Sequence, residues 1–224
     1  MFRVSSAYFL GMSHEKKIVT VEKGTELFET VKMQFLMSWD KGAAPEVVRI
    51  FKINSRRFKH KYEGYNAQQR MLIEQDLWHG TRLGCHLAKT RRLCRKDNCS
   101  ICGIARTGFR LNRLATGSLT SVSKFERFGA GLYFAPNASK SNDYTTENAN
   151  CADSACGCRG SRAMLLCHVS SGRAYVAREN MPHLREPPRG YDSVMGITGG
   201  GLVYPEVIVY DEAAVIPRYI IIFH

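Results

Sequence analysis

Three short segments of this 224-residue chain carry side chains with the chemistry of a ligand site. The first is His79-Gly80-Thr81. A glycine beside a histidine leaves the peptide N–H and C=O uncovered, so a ligand can reach the backbone there. The second is Phe128-Gly-Ala-Gly131-Leu-Tyr133-Phe-Ala135, followed by Ser139-Lys140-Ser141-Asn142-Asp143-Tyr144. It gathers aromatic rings, a lysine and small hydroxyls in a short span. The third is Tyr204-Pro205-Glu206-Val-Ile-Val-Tyr210, where an acidic residue opens an otherwise apolar strand. Each segment alone has a plainer explanation. A lone histidine is commonly structural, an apolar strand before a capped helix is ordinary, and a strand-end glutamate usually faces water.

Eight cysteines add a separate chemistry. Cys85, Cys94, Cys99 and Cys102 fall within 18 residues, closed by Cys99-Ser-Ile-Cys102-Gly103. Two residues between ligands let one turn aim both thiolates at one ion, and a glycine after the second eases the chain away. Four thiolates match tetrahedral structural zinc, with His86 as an alternative donor to Cys85; reduced free thiols or a disulfide are the competing readings. Cys151, Cys156 and Cys158 form a weaker trio whose one-residue spacing is unusual for zinc, leaving a metal and a disulfide both open. Cys167 sits in the apolar run Met164-Leu-Leu-Cys-His-Val169 and is expected to be a buried strand residue.

Of the chain, 44% is hydrophobic and 23% charged, an ordinary globular balance. No apolar run has membrane-spanning length, and the first residues lack the pattern of a signal peptide, so a reducing intracellular compartment, nucleus or cytoplasm, is expected. The net charge of +12 favours a phosphate-bearing ligand, an acidic protein or nucleic acid. The densest basic stretches, Arg56 to Lys61 and Arg91 to Lys96, lack the interleaved aromatics of a base-stacking platform.

Residues 25–39 read as an amphipathic helix capped by Thr25, with Phe28, Val31, Phe35 and Trp39 on one face and Lys41 to Pro45 ending it. Residues 47–53 read as a strand, with Val47, Arg49, Phe51 and Ile53 on one side. A helix is expected around 62–70, and short strands at 163–169, 173–177, 206–210 and 218–223. Helices early and strands late predict an α+β fold. One domain over 1–224 is the simplest account, with an N-terminal helical segment over 1–46 and a zinc-binding insertion over 85–102.

In this order the segments resemble the catalytic domain of the poly(ADP-ribose) polymerase family of ADP-ribosyltransferases. The resemblance is carried by Leu77-Trp-His-Gly-Thr81, Phe128-Gly-x-Gly-Leu-Tyr-Phe-Ala135, Ser139-Lys-Ser-Asn-x-Tyr144 and Tyr204-x-Glu206-x-Ile-Val-Tyr-Asp211. Val47 to Asn54 looks like the family's first strand, and Gly190 to Val194 like the loop holding a histidine-serine-valine stretch. The cysteines directly after His-Gly-Thr resemble a fungal group of members. Tankyrases carry a short zinc loop too, but after the Ser-Lys-Ser-Asn-x-Tyr helix.

The resemblance implies two packed, mostly antiparallel sheets with flanking helices, and NAD as co-substrate. It implies a catalytic trio of His79, Tyr133 and Glu206. His79 would bond the adenosine ribose, with Thr81 beside it in the NAD site. Gly80 and Ser141 would bond the nicotinamide carboxamide, Tyr144 and Tyr133 would flank the nicotinamide and its riboside, and Glu206 would bond the nicotinamide ribose. Arg110 would lie near the adenosine half and Lys140 beside the acceptor. The acceptor would be a protein, the chain itself or nucleic acid, with one ADP-ribose or many transferred. An inactive transferase-like zinc module that binds nucleic acid or ADP-ribose-like ligands is the alternative, disfavoured because none of the trio is lost. The 78 residues before His79 leave no room for the helical regulatory domain of DNA-damage-dependent relatives, so activation through it is not expected. The segment from Asn112 to Arg127 falls where relatives have a donor-site loop.

Overall fold

A computed structural model of the chain describes residues 17–111, 127–147, 160–199 and 201–224. Cys151, Cys156 and Cys158, and nearly all of the donor-site loop, lie outside them. The fold is α+β, as the sequence predicts. One sheet has five strands, β1 (Ile18–Val21), β2 (Val47–Ile53), β9 (Val215–Phe223), β5 (Arg162–Ser170) and β3 (Glu74–Gly80), adjacent in that order and all antiparallel. A second sheet orders β4 (Leu132–Phe134), β8 (Glu206–Val209), β7 (Ser193–Gly196) and β6 (Ala174–Ala177), with only the β6–β7 pair parallel.

The central strands explain themselves. β5 and β9 have neighbours on both edges and apolar layers on both faces, so runs such as Ile220-Ile221-Ile222-Phe223 are buried throughout. Phe51, Leu77, Leu165, Cys167, Ile220 and Ile222 face the second sheet, meeting Leu132, Phe134, Val207 and Val209. Helix α1 (Glu26–Met37) covers the opposite face with Phe28, Val31 and Phe35 against Ile50, Met164 and Ile221. Thr25 caps it, its Oγ1 accepting from the Phe28 N–H at 3.3 Å, and Glu26 and Glu29 in the first turn suit the helix dipole. Two shorter helices, α3 (Leu87–Thr90) and α4 (Ser100–Thr107), follow β3, and α5 (Ala138–Asn142) follows β4. Among the described residues no helix is long and apolar enough to cross a membrane.

Local expectations shift in places. The segment before residue 46 is not wholly helical, since β1 precedes α1 and pairs with β2. The early helix ends at Met37, short of the glycine-proline stretch, because Ser38 turns its hydroxyl back to the Phe35 carbonyl. The second helix, α2, is Arg56–Asn66, started by Ser55, whose Oγ accepts from the Phe58 N–H. A register shift between Val47 and Arg49 breaks strict alternation in β2, so Val47 joins the α1 side while Phe51 and Ile53 face the other sheet. Ser193 and Val194 begin strand β7 rather than lying in a loop. Cys167 is fully buried in β5, where burial pushes its thiol pKa up.

A polar cluster pins the first half of β3. His168 Nδ1 meets Asp76 Oδ1 at 2.7 Å, its Nε2 lies 3.4 Å from Glu74, and Tyr62 donates to Glu74 at 2.6 Å. The hydrogen bond to Asp76 raises the His168 pKa against the effect of burial, helped by the Asp76 and Glu74 charges; the same bond lowers that of Asp76. The pairing therefore contributes fully between the unfolded values of about 3.9 and about 6.5, and fades as pH rises through the raised histidine value or falls through the lowered aspartate one. Melting temperature is expected to fall as pH rises above the ordinary histidine value of about 6.5, and His168→Gln should flatten that fall. Parallel curves for the two proteins would remove the cluster from the account.

Candidate active site

The site forms where the two sheets meet. β3 is an edge strand of the first sheet, but Trp78 exchanges backbone hydrogen bonds with Ala135 at 2.8 and 3.0 Å, joining it to the end of β4. Seven residues of β3 pair with β5, which fixes His79 opposite Leu165 and Gly80 opposite Met164.

His79 is set by three neighbours. Its Nδ1 lies 2.9 Å from the Tyr133 carbonyl, and its ring packs edge-on against Phe109 at 5.0 Å and tilted against Phe134 at 5.5 Å. A carbonyl only accepts, so Nδ1 carries the proton. Burial lowers the His79 pKa more than this bond raises it, which keeps the ring neutral near pH 7. Nε2 is then a hydrogen-bond acceptor, suited to a ligand hydroxyl and unsuited to an anion.

Gly80 is required by space. A Cβ there would sit 1.6 Å from the Ser141 carbonyl oxygen. The close approach comes from α5, which Asn137 starts by accepting from the Lys140 N–H at 3.0 Å. Ser141 in turn donates its hydroxyl to the Trp78 carbonyl at 3.1 Å, so the helix is bolted to β3 one residue before the histidine. Thr81 lies half-buried just past the strand.

The second sheet supplies the other wall. Val207 and Val209 point between the sheets, so by the two-residue period Glu206, Ile208 and the facing Tyr133 lie on the outer side. The Tyr133 hydroxyl donates to the Gly129 carbonyl at 2.8 Å and accepts from the Phe128 N–H at 3.0 Å, which locks the ring. Gly129 has φ +71°, and a Cβ there would meet the Leu184 carbonyl at 1.9 Å, so this turn also requires glycine.

Glu206 is buried, with 5% of its surface exposed. Its carboxylate pairs with Lys140 at 3.1 Å, and the same ammonium donates to the Tyr144 hydroxyl at 3.3 Å. Burial would lower the Lys140 pKa, but the Glu206 charge and hydrogen bond, with Tyr144, raise it overall, so it stays protonated. Tyr144 is 52% exposed, with the Lys140 ammonium 5.1 Å from the centre of its ring, so an accessible aromatic residue stands beside a buried carboxylate. Lys140→Met would strand the Glu206 charge; a loss of about 1–3 kcal/mol is expected in denaturant unfolding, and an unchanged midpoint would show the pair to be idle.

Of the residues singled out from sequence, His79 meets Tyr133 directly, Ser141 bonds the Trp78 carbonyl beside His79-Gly80, and Lys140 joins Tyr144 to Glu206. Arg110 stands just past Phe109 and pairs with Glu212 at 3.6 Å. Sequence reasoning did not find Phe109, 30 positions from the histidine it supports, nor the direct Lys140–Glu206 pair.

The four cysteines converge as well. The sulfurs of Cys85, Cys94, Cys99 and Cys102 all lie within 4.8 Å of one another, with Cys85 3.6 Å from Cys102 and 3.7 Å from Cys99. A disulfide needs about 2.05 Å. Zinc–sulfur bonds of about 2.3 Å in a tetrahedron put sulfurs about 3.8 Å apart, so the donor set fits that ion. The fourth member of the cluster is Cys85, and His86 is not part of it. Cys99 immediately precedes α4 and Cys102 lies within it; Ile101 donates to the Arg82 carbonyl at 3.2 Å, and the helix ends at Gly108, next to the Phe109 that packs on His79.

Residues 25–199 match the family model described as the poly(ADP-ribose) polymerase catalytic domain. Relatives include the human protein mono-ADP-ribosyltransferase PARP4, 25% identical over 92% of this chain, and the human protein mono-ADP-ribosyltransferase PARP3, 23% identical over 78%. The chicken (Gallus gallus) PARP3 is 30% identical over 58% of the chain. The matched stretches span only 11%, 27% and 18% of those three proteins. With the motifs, the two-sheet fold and this match in agreement, the chain belongs to the poly(ADP-ribose) polymerase catalytic-domain family.

Proposed function

We propose that the chain is an NAD-dependent ADP-ribosyltransferase. It breaks the bond between nicotinamide and C1′ of its ribose and joins that carbon to an acceptor on a protein, the chain itself included, or on nucleic acid. The observation that carries this reading is a run of contacts in which Tyr133 holds His79, its chain neighbour Trp78 holds Ser141, and Lys140, next to Ser141, holds Glu206, with Tyr144 exposed beside them.

Each residue then has a task. Nε2 of neutral His79 accepts from a hydroxyl of the adenosine ribose, with Thr81 and Arg110 on that side. The uncovered backbone of Gly80 and the Ser141 hydroxyl hold the carboxamide. Tyr144 stacks on the nicotinamide and Tyr133 packs along its riboside, fixing the ring for departure. As the C1′–N bond breaks, its electron pair passes to the ring nitrogen and nicotinamide leaves neutral. The ribose becomes oxocarbenium-like, and the Glu206 carboxylate stabilises that charge. The acceptor's lone pair forms the new bond at C1′, and its proton is released toward Glu206 or water.

Zinc on Cys85, Cys94, Cys99 and Cys102 would supply no step. Four thiolates fill its coordination and leave no open position, so its work is to order the insertion that supports Phe109 and His79. About one equivalent of zinc is expected in purified protein, with these thiols protected from alkylation until a chelator is added. Less than about half an equivalent, with the native thiols freely alkylated, would remove the metal from the account. A reducing compartment, nucleus or cytoplasm, suits these thiolates. The relatives' names favour transfer of one ADP-ribose, read as a single mass increment on the modified product. The direct test of the reading is NAD carrying label in nicotinamide: free labelled nicotinamide should accumulate with time, and intact NAD alongside demonstrated binding would refute the enzyme.

A further inference from the structure

The segment Ser38–Lys41, between α1 and β2, holds both walls of the site at once. Trp39 anchors it, packing on Phe35 at 5.5 Å and Phe223 at 5.8 Å while its indole donates to the Lys41 carbonyl at 2.7 Å. From that anchor the segment grips α5 along its length. The Ala138 N–H donates to the Ser38 carbonyl at 2.9 Å, and the Asp40 and Lys41 N–H groups donate to the buried Ser139 hydroxyl at 2.7 and 3.2 Å. The Lys41 ammonium pairs with Asp143 at 2.8 Å. Asp40 then spans the two walls. One carboxylate oxygen accepts from the amide of Asn137, the residue that caps α5, at 2.9 Å. The other accepts from the Tyr204 hydroxyl at 3.0 Å, two residues before Glu206.

We infer that Asp40 is a positioning residue that sets the gap between the α5 wall, with Ser141 and Tyr144, and the carboxylate of Glu206. This deepens the transferase reading and rests on it. The span has a chemical consequence because the two walls do different work. Ser141 and Tyr144 hold nicotinamide in both the ground and transition states, whereas Glu206 meets charge that develops only as the bond breaks. A small change in the gap therefore weakens transition-state stabilisation while leaving NAD binding nearly intact. Asp40 touches neither group, and it is exposed, so its loss leaves the core untouched. Nothing in the sequence marks it, since a loop aspartate after a helix is commonplace; only the fold shows that its two oxygens face elements about 100 and 164 positions away.

The test compares wild type with Asp40→Ala, Asp40→Asn, Tyr204→Phe and the Asp40→Ala/Tyr204→Phe double variant. Steady-state nicotinamide release gives kcat and KM, and melting temperature monitors the fold. For Asp40→Ala, kcat is expected to fall about tenfold to a hundredfold while KM for NAD moves less than about threefold. Asp40→Asn keeps an acceptor oxygen for one partner and should recover part of that loss. The double variant should lose less than the product of the single losses, because both remove one bridge. Wild-type kcat in Asp40→Ala, an equal rise in KM, or loss tracking only a lowered melting temperature would overturn the positioning role. No nicotinamide release from wild type would overturn the transferase reading and this inference with it.

Discussion

Replacing Glu206 with glutamine is expected to cut ADP-ribose transfer by about a hundredfold to ten-thousandfold while NAD still binds. Glutamine keeps the size and one oxygen of the side chain, so the strand end and the pocket outline survive. What goes is the negative charge, held in a site where only 5% of the residue is exposed and little water screens it. That charge matters most when the ribose turns cationic, so the loss should fall on kcat and hardly on KM. Lys140 is 3.1 Å away and stays protonated. In the variant it faces a neutral amide, so its positive charge opposes the oxocarbenium instead of being cancelled, which adds to the loss. Steady-state nicotinamide release against NAD concentration separates the cases. A rise in KM at constant kcat would make Glu206 a binding residue and contradict the role assigned to it.

The second large effect is expected at Gly80. A methyl group there would lie 1.6 Å from the Ser141 carbonyl oxygen, with the Ser141 carbonyl carbon at 2.6 Å. Backbone cannot yield as a side-chain tip can, so α5 must move off β3. That movement breaks the Ser141–Trp78 hydrogen bond and displaces Tyr144 and Lys140 from Glu206. Gly80→Ala should therefore lower stability by about 3 kcal/mol or more and abolish measurable NAD turnover. Denaturant unfolding reads the first and nicotinamide release the second. Near-wild-type turnover would mean that α5 does not form the carboxamide wall.

These residues differ in how legible they were beforehand. The α+β class, the capped helix beginning at Thr25, the late strands and the buried Cys167 follow from local patterns, because each depends on neighbours within a few positions. The cysteine quartet was equally local, and its sulfurs do meet. The site motifs came from resemblance, since His79, Tyr133 and Glu206 are distant along the chain and no periodicity links them. Strand β1 escaped because four residues beside a turn give too little pattern to read. Ser193-Val194 escaped because a glycine-rich surrounding masks a four-residue strand that owes its burial to its neighbours. The bulge in β2 defeated simple alternation. Asp40 and Phe109 escaped for a deeper reason: each acts across a contact that exists only once both sheets and α5 are assembled.

The most direct check on the central claim is covalent labelling. Wild-type protein is incubated with NAD labelled in its adenylate half, then denatured and freed of unbound nucleotide. Label that stays attached to protein or nucleic acid, and that disappears in Glu206→Gln, is the result expected of an ADP-ribosyltransferase. Background label in wild type equal to that in Glu206→Gln, from protein with an intact fold that binds NAD, would contradict it.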